Sequence, residues 1–587
     1  MLYPIENEIR QVKNLNGIWK FKKESRLGQG VDEKWFEKPL ADAIEMPVPA
    51  SYNDITTDKS LRDHTGWVWY ERELSIPLDW MEKRMVLRFG SVTHHAVVYI
   101  NGQKVTSHKG GFLPFEAELN GCVNPGQNRL TVAVSNMLDH SCLPFGLIQD
   151  ANTEYYPEGE KEQIYEFDFF NYSGIHRPVK IYTTPKTFIK DVTVTTDIIG
   201  GDGIVNYSVL VEGDTKDIEI TLLDEEGALV AKAGDMEGKI VVENAKLWNV
   251  RAAYLYRLDI RAGEDHYTLP FGIRTVKVTE KQILLNGKPV YLKGFGKHED
   301  SDIRGRGLDE ALNVRDFELL KWLGANSFRT SHYPYSEEIM QMADRQGFLI
   351  IDEVPAVGLN LWCDTIVFQP GYADEETLKH HKDVLTELYE RDKNHPCVIM
   401  WSVANEAQTK NGNALEYFTE VVDHIRALDD TRPITNVTHH SITSDKVAHL
   451  FDVICLNRYY SWYYDLANLE SIYPRLTKEF QEWHEKYHKP VMITEYGTDT
   501  VVGMHKLPEV IFSEEYQIEY YKENNRALDD CDFVIGEHLW AFADFMTSFG
   551  LRRMDGNKKG IFTRQRQPKS VAFKIKERWT EPSTKWP

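Results

Sequence analysis

The sequence has little cysteine and no paired cysteine motif. Cys122, Cys142, Cys363, Cys397, Cys455 and Cys531 are scattered over 587 positions with no C-x-x-C spacing. That excludes a disulfide framework and a structural zinc site. Cys397 and Cys455, beside or within apolar runs, read as reduced core residues, which fits a cytoplasmic location. Long apolar runs are also missing. None approaches the roughly 18 residues that a membrane span needs. The opening Met1-Leu2-Tyr3-Pro4-Ile5-Glu6 has neither a basic n-region nor an apolar h-region, so no signal peptide is expected. Positive charge is scarce, with a formal net charge of −22. That argues against nucleic acid or an acidic membrane surface as the partner. An anionic substrate would need a local basic pocket. Short repeats and low-complexity segments are absent.

What remains is an ordinary globular composition, 42% hydrophobic and 27% charged, in a chain too long for one core. Aromatics reach 12%, with 14 Trp and 29 Tyr. They can stack on sugar rings or fill sandwich cores, and the count does not choose. Residues 1–183 alternate short strands with Gly, Asn and Pro turns, for example Trp67–Glu73, Met85–Phe89 and Arg129–Val134. This reads as a β-sandwich. Ala96–Ile100 followed by Asn101-Gly102 is a hairpin signal. Residues 184–277 are again strand-rich (Asp191–Thr196, Ile204–Val211, Asp217–Leu223, Tyr254–Ile260), the size of a small immunoglobulin-like sandwich.

From 278 to 587 strands alternate with helices. Eight apolar strands, Tyr291–Phe295, Ser327–Thr330, Phe348–Glu353, Val398–Glu406, Ile434–Thr438, Val453–Asn457, Val491–Glu495 and Val534–Trp540, predict a (β/α)8 TIM barrel. Helices are expected over Asn313–Leu323, before Gly324, and over Glu375–Lys393. A barrel demands that active residues gather at the C-terminal ends of its strands. Arg329, His332, Asn405, Glu406, Asn457, Tyr459, Glu495 and Trp540 all fall there. Two of those ends are glutamates, Glu406 and Glu495. An unpaired carboxylate at the end of an apolar strand costs several kcal/mol by rough estimate, so it usually has a job. A pair can act as the acid and the nucleophile of a retaining glycosidase, about 5–5.5 Å apart. The like charge of the nucleophile would raise the acid's pKa. Glu299 and Glu353 also end or follow strands and are rival carboxylates.

Ordered motifs then carry a resemblance across nearly the whole chain. Phe271-Gly272-Ile273-Arg274, Leu285-Asn286-Gly287-Lys288-Pro289, Gly294–Glu299, Phe328–Pro334, Trp401–Glu406 and Thr494-Glu495-Tyr496-Gly497 resemble glycoside hydrolase family 2. Phe167–Tyr172, Asn457-Arg458-Tyr459-Tyr460 and Asn557–Arg564 are similar to the bacterial β-glucuronidases within it. The resemblance implies a retaining, exo-acting enzyme of two sandwiches and a barrel, with no cofactor and no metal, assembled as a homotetramer. It implies Glu406 as acid/base and Glu495 as nucleophile. Asn405 would bind the sugar 2-hydroxyl, Tyr459 would tune Glu495, and Asp168 would reach in from the first sandwich to bind hydroxyls. His332, Asn457, Tyr463 and Trp540 would complete the pocket. Asn557 and Lys559, at i and i+2 of an extended loop, can converge on a substrate carboxylate, with Arg553 as a third contact.

The loop 354–374 is shorter than in the long-looped members of that group. Its Trp362, Ile366, Val367 and Phe368 either form an apolar lip or pack inward. Other family 2 activities, on galactosides, mannosides or galacturonides, and a non-catalytic sugar-binding protein are competing readings. The Asn557-x-Lys559 spacing disfavours the neutral sugars but does not separate glucuronides from galacturonides. The two retained carboxylates disfavour the non-catalytic reading.

Overall fold

The computed structural model describes residues 1–154, 161–215, 217–362, 364–548, 550–583 and 585. Cys363 lies outside them, and the other five cysteines are free thiols. Among the described residues no helix is long and apolar enough to cross a membrane.

The N-terminal region is a sandwich of a six-stranded and a four-stranded antiparallel sheet. Trp67–Ile76 and Gly126–Ser135 pair along their full lengths at the centre of the larger sheet. Their alternate residues Val68, Tyr70, Leu130, Val132 and Val134 are buried with Trp19, Phe21 and Leu87, the period-2 burial of a strand with one face on a core. The expected hairpin joins His95–Ile100 to Gln103–Lys109. Asn101 and Gly102 take φ of 50° and 86°, the left-handed pair that a type I′ turn needs. The next region has a three-stranded and a four-stranded sheet around Val192, Val205, Leu222, Leu258 and Ile260. This is an immunoglobulin-like sandwich.

Eight parallel strands close the barrel. They are β1 Leu292–Gly296, β2 Ser327–Arg329, β3 Leu349–Glu353, β4 Val398–Asn405, β5 Ile434–Thr438, β6 Ile454–Asn457, β7 Val491–Glu495 and β8 Val534–Trp540. Strand boundaries differ from the sequence expectation by no more than one residue. The difference that matters is at β4, which ends on Asn405 and leaves Glu406 just beyond it. Helix α1, Glu310–Leu323, starts three residues earlier than expected. The Asp309 side chain accepts the Leu312 N–H, and Gly324 closes the helix at φ 84°. The Asp374–Thr377 capping box starts α2, Glu375–Asp392. Between β5 and β6 the connection holds only a 3-10 turn, Ala448–Leu450, where a full barrel unit would have a helix. Gly497, two residues past β7, is fixed by space. A Cβ there would lie 1.8 Å from the Trp540 carbonyl oxygen, so only glycine lets the exits of β7 and β8 close together.

The first sandwich reaches the barrel mouth through one segment. Phe170 donates its N–H to the Met546 carbonyl at 2.9 Å, and Phe169 bridges to Thr547. The Arg306 guanidinium lies over the Phe169 ring at 4.9 Å and over Tyr333 at 4.4 Å. These contacts bring Asp168 to the C-terminal ends of the strands. The loop 354–374 divides: Val367 and Phe368 are buried, whereas Trp362 is 54% exposed with its ring 4.8 Å from His439.

Candidate active site

At the mouth, Arg329 is the last residue of β2 and Glu353 the last of β3. Both are 0% exposed. The guanidinium Nη1 meets both Glu353 oxygens, at 2.7 and 2.8 Å. Its Nη2 donates to Glu495 Oε1. One cation is thus shared by two buried carboxylates. Glu353 also accepts from Ser402 Oγ at 2.7 Å and contacts His332 Nδ1 at 2.9 Å. Burial alone would raise its pKa, but Arg329, His332 and Ser402 hold it below the ordinary carboxylate range. With its oxygens fully engaged, Glu353 has no lone pair left for a substrate. The other rival, Glu299, pairs with Arg177 at 3.1 Å and accepts the Ser336 N–H.

Glu495 ends β7 directly opposite Asn457 of β6 in the barrel register. Its second oxygen accepts from the Tyr459 hydroxyl at 2.7 Å, and His332 Nε2 lies 3.7 Å from the first. The His332 ring stacks on Trp540 at 5.1 Å. Glu406 takes φ of 53°, a left-handed turn that costs a non-glycine residue roughly 1–2 kcal/mol. Its N–H bonds to the Val437 carbonyl at 2.8 Å. Its Oε1 accepts from Asn457 Nδ2 at 2.8 Å. The same amide donates to Asn405 Oδ1 at 3.2 Å, while Thr494 Oγ1 donates to Asn457 Oδ1 at 3.0 Å. Asn457 therefore bonds Glu406 and pairs in register with Glu495, and its own orientation is fixed by Thr494.

Burial pushes Glu406 above the ordinary carboxylate range, opposed by the Asn457 N–H and by Arg329 and Arg458. Burial also raises Glu495, opposed by Arg329, His332 and Tyr459, with the charge of Glu406 adding to the rise. The sequence argument credited the charge of Glu495 with raising Glu406. The structure corrects this: desolvation leads at Glu406, and the repulsion between the two carboxyls falls on Glu495. The partners make the two carboxyls unequal. Glu495 touches a cation and a hydroxyl donor, whereas Glu406 touches a neutral amide. The guanidinium contact favours the ionised form of Glu495, and Glu406 has no equivalent contact.

At the other end of the mouth, Asn557 and Lys559 are buried. The Lys559 N–H bonds to Asn557 Oδ1 at 2.9 Å, which fixes the amide so that its nitrogen serves as donor. Asn557 Nδ2 reaches Asp168 at 2.6 Å and Arg553 Nε reaches the other Asp168 oxygen at 2.7 Å. Tyr463 Oη lies 2.8 Å from Arg553 Nη2 and 3.0 Å from Lys559 Nζ. Lys558 points elsewhere, with its ammonium 3.3 Å from Asp555. The twelve residues singled out from the sequence thus form two joined groups. One is Glu406, Glu495, Asn405, Asn457, Tyr459, His332 and Trp540. The other is Asp168, Tyr463, Arg553, Asn557 and Lys559. The Tyr459 and Tyr463 rings, 5.0 Å apart, join them.

One trio outside this mouth has metal-ligand chemistry. The ligand atoms of Asp344, His395 and Cys397 lie within 4.8 Å of one another, at the opposite end of β4. Asp344 already bonds the His395 ring and the Cys397 N–H. Burial opposes protonation of His395, yet the Asp344 carboxylate lifts it to about 9. Burial also keeps the Cys397 thiol protonated. The trio is a buried ion pair rather than a ligand set.

Three family descriptions match the chain in order. "Glycosyl hydrolases family 2, sugar binding domain" spans residues 12–185, "Glycosyl hydrolases family 2" spans 187–274, and "Glycosyl hydrolases family 2, TIM barrel domain" spans 276–583. The chain belongs to glycosyl hydrolase family 2. A β-glucuronidase of Paenibacillus borealis is 51% identical over 589 residues, covering 99% of this chain and 99% of its own length. The solved β-glucuronidase of an uncultured Clostridium sp. has a TM-score of 0.95 and 60% identity, over 99% of each chain. A β-glucuronidase from Ruminococcus gnavus, solved in complex with D-glucuronic acid, has a TM-score of 0.92 and 44% identity, over 98% of this chain and 99% of that one.

In this family 2 hydrolase the sequence reading missed two things at the mouth. Arg329 was placed at a strand end, but its sharing between Glu353 and Glu495 was not foreseen. Asp499, four residues past Glu495, was not singled out at all; it contacts Lys559, Arg553 and the Lys558 N–H. Strand-end position was the available signal for the first. For Asp499 only its closeness in sequence to Glu495 was available.

The ion pairs make a stability prediction with opposite signs at two glutamates. The folded pKa of Glu353 is depressed, so the stability it contributes is present above the ordinary carboxylate pKa and lost as pH falls through its folded value. The folded pKa of Glu495 is raised, so its ionisation costs stability once pH rises past that value. At pH 7, Glu353→Gln lowers the unfolding midpoint and Glu495→Gln raises it. Thermal melts at pH 7 and pH 4.5 check this, the difference between the variants shrinking at the lower pH. Equal losses in both variants would contradict the shared-cation account.

Proposed function

We propose that this protein is a retaining, exo-acting β-glucuronidase that hydrolyses β-D-glucuronides to glucuronic acid and an aglycone. One observation carries the reading: Glu406, bonded to Asn457, and Glu495, in register with it, share their mouth with the Asn557, Lys559 and Arg553 donors. The carboxyl pair supplies glycosidic chemistry and the donors an acceptor site for a sugar carboxylate. In the first step Glu495 attacks the anomeric carbon as the glycosidic C–O bond breaks, and Glu406 gives its proton to the departing aglycone oxygen. In the second step Glu406, now ionised, takes a proton from water. The water oxygen attacks the anomeric carbon and releases Glu495, so configuration is retained. Asn405, whose Oδ1 accepts from Asn457, has a side-chain N–H with no acceptor among the described residues and gives it to the sugar 2-hydroxyl. Tyr459 holds and tunes Glu495. His332, Trp540, Asn457 and Tyr463 line the sugar site, and Asp168 binds sugar hydroxyls from the first sandwich. No metal or organic cofactor is required.

The same reading divides the chain at 1–183, 184–277 and 278–587. It makes the protein a bacterial, cytoplasmic homotetramer, as the resemblance to bacterial β-glucuronidases implies.

Two outcomes test the assignment. Lys559→Ala lowers glucuronide turnover about a hundredfold, on the order of 3 kcal/mol for a charge-assisted contact. Lys558→Ala does little, since its ammonium serves Asp555. A chromogenic panel of glucuronide, glucoside and galactoside checks this; equal behaviour of the two lysine variants would remove the uronate assignment. Glu406→Ala slows aryl glucuronides in proportion to the basicity of the leaving group, because a good leaving group needs little protonation. A flat dependence on leaving-group pKa would take the acid role away from Glu406.

A further inference from the structure

Asp499 is 4% exposed and has no part in the steps above. Its Oδ1 accepts the Lys558 N–H at 2.7 Å, which pins the carboxylate to the loop that carries Asn557 and Lys559. Its Oδ2 bonds the Lys559 ammonium and lies 3.4 Å from Arg553 Nη1. Asp168 holds the other side of Arg553. Two cations therefore face two carboxylates, and the pocket for an acidic sugar sums to zero before any sugar arrives. Lys559 Nζ has three N–H groups. Two have acceptors among the described residues, Asp499 and Tyr463, which leaves one for a ligand. A sugar carboxylate taking that third N–H would sit on the same nitrogen as Asp499, with two like charges a few ångströms apart.

We propose that Asp499 is a specificity-determining residue: a resident counter-ion of Lys559 with which every acidic sugar, substrate or product, must share the cation. Asp499 makes the burial of Lys559 tolerable when the site is empty, and its repulsion limits how tightly a uronate is held. A neutral sugar does not feel it. The inference rests on the reading that Lys559 meets the substrate carboxylate.

The test is inhibition of glucuronide turnover by D-glucuronic acid, with D-glucose as the neutral control, in wild type, Asp499→Asn and Lys559→Ala. Asp499→Asn strengthens inhibition by glucuronic acid by about tenfold, the direction set by removing one like charge a few ångströms away. Inhibition by glucose stays unchanged. An unchanged or weakened glucuronic acid inhibition in folded Asp499→Asn overturns the proposal. Lys559→Ala separates the two levels. If it leaves glucuronic acid inhibition intact, the reading of Lys559 fails. If it weakens inhibition while Asp499→Asn does not strengthen it, only the role of Asp499 fails. If Asp499→Asn does not fold alone, the proposal requires glucuronic acid, supplying the missing counter-ion, to restore the fold where glucose does not. Failure of that rescue overturns it equally.

Discussion

The shared guanidinium of Arg329 is the constraint on which the mouth depends. Two carboxylates at 0% and near-zero exposure, on β3 and β7, lie on one cation. Removing the arginine would leave both carboxylates buried without their cation, at a cost of about 3–5 kcal/mol. The arginine fork suits this better than a lysine, since it offers separate N–H groups at fixed angles to two acceptors. Because Arg329 ends β2, next to β3 and across the lumen from β7, it ties the orientation of Glu495 to the barrel frame itself. Tyr459 and His332 then only need to complete a geometry already set.

The second charge problem sits at the opposite end of the mouth. A chain of net charge −22 cannot attract an acid through its overall field, so recognition must be local. The solution is a buried cluster in which Lys559 and Arg553 are each met by an aspartate, Asp499 and Asp168, with Tyr463 bonded to both cations. The Arg329 end follows the same logic. At both ends, cations are held in place by resident carboxylates, and on the proposed reading specificity comes from the donors left over.

The barrel was legible because its strands are apolar runs ending in polar residues, and β5, β7 and β8 match their expected limits in full. Glu406 was legible as a strand-end carboxylate, although its left-handed φ was not: one extra residue past an apolar run leaves no mark on periodicity. The missing helix between β5 and β6 could have been suspected from the short run 439–453. Contacts made at long range were out of reach. Asp168 meets Arg553 across 385 positions and Asp499 meets Lys559 across 60. No pattern in either segment announces its partner. The resemblance to family 2 supplied Asp168, and nothing supplied Asp499.

The central claim of the proposed mechanism is that the Arg329 cation makes Glu495, and not Glu406, the carboxylate that attacks the sugar. The most direct measurement is covalent trapping with a 2-deoxy-2-fluoro-glucuronide bearing a good leaving group, followed by intact mass and peptide mapping. The fluorine slows both steps, and the leaving group lets the first outrun the second, so a glycosyl-enzyme accumulates. The account predicts one added sugar per chain, attached to Glu495. A sugar attached to Glu406 or Glu353, or turnover with no covalent adduct, would contradict it.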